Sequence, residues 1–138
     1  MIIRDGKTVY ELLIEMWFKT PSVVKIFPEN FLPLNTNMIA SDCRCADSEP
    51  HALVKVMEQI KEEYRQIQKE RSLIKMAIFI YDTWSERVLM EDMGIFHDFL
   101  KECSEIRPEW GIGVWKSDEV RVVAVYYYQS NKNENKYE

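Results

Sequence analysis

The chain is predicted to fold as an α/β (α+β) domain: a two-layer mixed sheet with two long helices packed on it, plus an N-terminal helical segment. Three observations predict it. Residues 73–81 form an apolar run, with Met76, Ala77, Ile78, Phe79 and Ile80 consecutive, as in a strand covered on both faces. Residues 90–103 carry Met90, Met93, Phe96, Phe99, Leu100 and Cys103 at helical spacing. Residues 110–115 and 120–128 then flank a short polar turn, Lys116-Ser117-Asp118, and read as a strand pair.

The remaining elements follow in order. Residues 9–19 read as a helix, with Thr8 as N-cap, Glu11 at the third position, and Tyr10, Leu13, Ile14, Trp17 and Phe18 as its apolar face. Residues 22–27 read as a short helical piece after Pro21, and residues 28–37 as a loop. Met38-Ile39-Ala40 is a short strand, and residues 42–48 a polar turn. Asp47 or Ser48 then caps the longest helix, with Pro50 in its first turn. Leu53, Val56, Met57, Ile60, Tyr64 and Ile67 form its core stripe, and Glu58, Lys61, Glu62, Arg65, Lys69 and Glu70 its solvated face.

At 138 residues, one domain is expected over residues 1–129, with 1–37 as a helical extension, 38–128 as the main unit and 130–138 as a disordered Asn/Lys/Glu-rich tail. The net charge of -5, from 23 acidic and 18 basic residues, argues against a nucleic-acid partner, which calls for a basic surface. No apolar run approaches a membrane span, and residues 1–5 do not resemble a leader, so a cytoplasmic location is expected. Cys43, Cys45 and Cys103 are too few and too irregular for a disulfide framework.

The chemical candidates are few. Cys43 and Cys45, with His51 nearby, could supply three zinc ligands or a reactive thiol. The spacing is too short for usual structural sites, and an extended chain there is expected to send the two sulfurs to opposite sides. Two small residues in a strand-to-helix turn is the simpler reading. His97 lies off the apolar stripe of its helix, and Cys103 continues that stripe as a core residue. Glu91 and Asp92 complement a helix dipole. No Ser/His/Asp constellation is present, and no catalytic residue or cofactor is assigned.

Among the aromatic residues, Trp17, Trp84, Trp110 and Trp115 are expected mostly in the core. Tyr126, Tyr127 and Tyr128 alternate along one strand, which leaves at least one ring on a less covered side as a candidate partner contact. An uncovered sheet edge is a second route to association.

Several stretches resemble the C-terminal domain of the FtsZ/tubulin family. Residues 39–45 followed by 48–60 are similar to its first strand, small-polar turn and helix. Residues 75–82 resemble its central strand. Leu89-Met90-Glu91-Asp92 with residues 96–103 resembles its acidic-start helix. Trp110-Gly111-Ile112-Gly113-Val114, then Asp118-Glu119-Val120-Arg121-Val122, resemble its last two strands and the acidic turn between them. The resemblance covers about residues 38–128.

In that family, GTP is bound by a separate domain with a glycine-rich phosphate loop. Here Gly6, Gly94, Gly111 and Gly113 are the only glycines, and they never gather into such a loop. The resemblance therefore implies a stand-alone module without nucleotide hydrolysis, acting through a protein partner or through self-association. Arg4-Asp5-Gly6-Lys7-Thr8-Val9 faintly resembles the family's acidic segment, with Asp5 at the acidic position. An exposed aspartate in a turn explains it more simply. The tail lacks the apolar peptide through which FtsZ recruits partners. The alternative reading is a small thiol- or zinc-dependent enzyme using Cys43, Cys45 and His51.

Overall fold

In the computed structural model, residues 1–16, 22–24, 37–84 and 88–129 are described. Residues 28–36 of the expected loop, the Trp17 and Phe18 end of the first helix, and the tail from 130 lie outside them. The elements are β1 (Ile2–Ile3), α1 (Gly6–Ile14), β2 (Ser22–Val24), β3 (Met38–Ala46), α2 (Ala52–Glu70), β4 (Leu73–Asp82), α3 (Met93–Glu102), β5 (Glu109–Val114) and β6 (Glu119–Tyr128).

The six strands form one mixed sheet in the order β1-β3-β6-β4-β5-β2. Only β4 and β5 pair in parallel, and α3 is the crossover between them. The other neighbours are antiparallel. Two expectations change here. β5 and β6 are not a strand pair: β4 lies between them. Residues 22–24 are strand rather than helix, paired with β5 through Ser22↔Gly113 and Val24↔Ile112. Val23 and Val24 are β-branched and suit a strand edge.

α2 forms because its apolar residues recur every three or four positions among strong helix formers. All six stripe residues, Leu53 to Ile67, are buried against the sheet. Each such side chain contributes about 1.5–3 kcal/mol by leaving water. The cap is His51, not Asp47 or Ser48: its backbone is left-handed (φ 52°, ψ 48°), and its carbonyl accepts from Val54 and Lys55. Residues 47–50 form the preceding turn.

β3 is much longer than the three residues expected. Asp42, Cys43, Arg44 and Cys45 belong to its ladder with β6, which runs from Met38↔Tyr127 to Ala46↔Glu119. α1 starts three residues before its expected position. Asp5, not Thr8, is its cap: Oδ2 accepts from the Thr8 backbone N–H at 3.3 Å and from Thr8 Oγ1 at 2.6 Å.

The core has two parts, one on each face of the sheet. On one face α2 and α3 cover Ile39, Met76, Ile78, Ile80, Val122, Ala124 and Tyr126. On the other, Val9, Leu12, Leu13 and Met16 cover Met38, Ala40, Ala77, Phe79, Tyr81, Val123, Val125 and Tyr127. Burial on both faces explains why β4 and β6 read as continuous apolar runs. Met90 breaks the expected pattern. It is 87% exposed, because residues 90–92 form a 3-10 turn that shifts the phase before α3 begins.

Candidate functional site

The cysteine turn does not assemble. Residues i and i+2 of a strand share a face, so Cys43 and Cys45 both point toward the α2 side, contrary to the expected separation. Cys43 is 2% exposed, and its Sγ donates to Glu63 Oε2 at 3.3 Å. Burial, reinforced by the Glu63 carboxylate, pushes its pKa up to about 11. Burial also raises the pKa of the half-buried Cys45. Both shifts disfavour the thiolate that nucleophilic chemistry requires. His51 groups with neither sulfur, and its Nδ1 lies 2.8 Å from Asp92 Oδ1.

Cys103 is 1% exposed, and burial pushes its pKa up to about 12. It is a core residue beside Tyr64 and no partner for His97. His97 is exposed and meets Trp110 edge to face, with centroids 6.1 Å apart.

The three tyrosines divide across the sheet. Tyr126 is fully buried under α2 and α3, and Tyr127 is 6% exposed on the α1 face. That removes both from a partner's reach. Tyr128 is half-buried, with the Arg71 guanidinium 4.8 Å above its ring.

Two features were not singled out from the sequence. The first is a buried charge cluster on the α1 face. Arg121 is 4% exposed. It donates from Nε and Nη2 to Asp42 at 2.9 and 2.7 Å, and from Nη1 to Glu15 at 3.3 Å. Its guanidinium also packs over the rings of Tyr81 (4.9 Å) and Trp115 (5.1 Å). A basic residue among the valines of a buried strand is the sequence signal for such a pair.

The second feature is an apolar surface near the carboxyl ends of the parallel strands β4 and β5. Trp84 is 67% exposed, Leu89 43% and Met90 87%. Beside them is a cavity of about 320 Å³ lined by Asp82, Val88, Met90, Met93, His97, Trp110 and Ile112. Asp82 Oδ1 accepts the backbone N–H of Thr83 at 2.7 Å and of Val88 at 3.2 Å, which fixes both ends of the loop carrying Trp84. The signal was a tryptophan inside a polar connection. This arrangement holds apolar side chains toward solvent on an anchored loop, which suits contact with another protein surface.

All four glycines sit in helices or strands, and none has a positive φ. No described helix is long and apolar enough to cross a membrane.

No family model matches the sequence, and no curated protein matches it. Solved structures do. The helical model of the TubZ-Bt four-stranded filament shares 12% identity at a TM-score of 0.65, over 94% of this chain and 34% of that one. A GTPγS-form protofilament of TubZ from Bacillus thuringiensis serovar israelensis shares 13% identity at 0.63, over 94% of this chain and 36% of that one. The empty FtsZ dimer of M. jannaschii shares 13% identity at 0.50, over 88% of this chain and 38% of that one. The chain thus spans about a third of the length of these proteins. At this identity the likeness is one of fold, and the fold is that of an FtsZ/tubulin C-terminal-like domain.

Proposed function

We propose that this chain is a non-enzymatic assembly module without nucleotide hydrolysis, which associates with a second copy of itself through the surface around Trp84. The observation that carries this reading is the exposed trio Trp84, Leu89 and Met90 beside a cavity, on an anchored loop. The likeness to TubZ supports it, since that protein is described as a four-stranded filament and as a protofilament. Aromatic residues and Met are enriched at the centres of such contacts. A stable interface buries about 800 Å² on each partner, so the trio would form the centre of a larger contact. Tyr128 is paired with Leu73 at the start of β4, the far end of the sheet from Trp84, and belongs to no part of this contact. The net charge of -5 favours a protein partner over nucleic acid.

Sedimentation velocity over a range of concentrations tests the reading. Mass should rise with concentration. Trp84→Ser with Met90→Ser should return the chain to monomer while its circular dichroism stays unchanged. A monomer at every concentration, or association indifferent to the two substitutions, refutes it.

A further inference from the structure

We propose that His51, Glu91 and Asp92 form a binding site for a divalent metal of the zinc class, joining the start of α2 to the turn before α3. The three donors come from two segments 41 residues apart in sequence, and their ligand atoms all lie within 4.8 Å of one another. A tetrahedral zinc with bonds of about 2.0–2.1 Å places its ligand atoms about 3.3 Å apart. The two distances from His51 Nδ1 bracket that value: 2.8 Å to Asp92 Oδ1 and 3.9 Å to Glu91 Oε1. A small outward shift of Asp92 and inward shift of Glu91 would seat the ion.

The donor set points to the metal. One imidazole nitrogen and two carboxylate oxygens suit zinc and its transition-metal neighbours, whereas magnesium and calcium favour all-oxygen shells. Asp92 supplies a separate observation. It occupies the cap position of α3 and is 6% exposed, yet its carboxylate makes no capping bond to that helix. Its Oδ1 is directed at His51 instead. A buried carboxylate is costly unless compensated, and a metal cation would compensate it more fully than one imidazole.

The His51 and Glu91 side chains are 54% and 68% exposed, so an ion could enter from solvent and keep water in a fourth position. Lys55, a cation whose charge opposes that of His51, is held by Glu49 at 2.6 Å. Neither Cys43 nor Cys45 belongs to the group, and Cys43 is engaged by Glu63.

Calorimetric titration of zinc chloride into the chelator-treated full chain, with native mass spectra, tests this site. One equivalent should bind saturably. Even a residue that only orients a metal ligand is worth about tenfold in affinity, so His51→Ala and Glu91→Gln should each weaken binding by at least about that factor. Cys45→Ser should leave it unchanged. Glu91 is exposed, so misfolding would not explain its effect. Absence of saturable uptake overturns the site. So does uptake that survives both His51→Ala and Glu91→Gln, or that disappears in Cys45→Ser.

Discussion

Arg121 and Asp42 lie 79 residues apart in sequence and meet as a doubly hydrogen-bonded ion pair, both side chains almost wholly buried. The pair ties β6 to β3 on the face that α1 covers. Glu15, just beyond α1, extends it to the helix.

Breaking the pair from one side should be severe, because the remaining charge is left buried and uncompensated. Arg121→Met or Asp42→Leu should cost about 3–5 kcal/mol, and the two combined distinctly less than the sum. Urea unfolding of the three variants measures this. Additive losses would show that the two side chains do not act as a unit.

The buried thiols should be inert in the folded protein. With a pKa of about 11, roughly one Cys43 side chain in a thousand is thiolate at pH 8. Ellman's reagent should therefore modify the half-buried Cys45 first. Cys43 and Cys103 should react only after denaturant is added.

The same shifts set a direction for alkaline stability. The folded pKa values of Cys43 (about 11) and Cys103 (about 12) lie above the ordinary 9.0. Between these limits the unfolded chain loses its thiol protons first. The contribution is intact below pH 9.0 and is lost as pH rises toward 11 and 12. Urea midpoints should fall steadily from pH 9.0 upward, and less steeply when Cys43 and Cys103 are replaced by alanine and compared with their own midpoints at pH 7.

Tyr126 offers a test of opposite sign. Its hydroxyl is buried and has no hydrogen-bond partner, whereas that of Tyr64 is paired with Cys103. Tyr126→Phe should stabilise the fold by about 1 kcal/mol, and Tyr64→Phe should not. Thermal melts of the two variants compare them directly. A loss of stability in Tyr126→Phe would mean that the hydroxyl is solvated in place.

Calorimetry with GTP completes the set. With its four glycines confined to helices and strands, the chain should show no saturable heat. A defined stoichiometry of GTP would refute this expectation.

The legible parts of the sequence were those governed by local periodicity. The α2 stripe from Leu53 to Ile67 and the apolar run of β4 needed only spacing and run length. What escaped was set at long range. Asp42 and Arg44 read as turn residues because their partners, in the last strand, are invisible to a local window. The insertion of β6 between β3 and β4, where a hairpin with β5 was expected, is a choice of pairing and not of propensity. His51 could be suspected as a ligand, but the carboxylates facing it lie some 40 residues away, across a helix and a strand. The exposure of Trp84 lies between two backbone contacts of Asp82, to Thr83 and Val88, and that of Met90 follows from the 3-10 turn over residues 90–92.

β6 follows every other described element in the chain, yet it lies in the interior of the sheet. A nascent chain that has made everything else must therefore hold an empty slot, with the edges of β3 and β4 both unpaired. Folding cannot proceed as a steady addition of strands from one side. During synthesis the sheet can close only once residues 119–128 are available to enter the slot and join the two halves. Cut before Glu119, the chain should be unable to settle, and a synthetic peptide covering that strand should rescue it in trans.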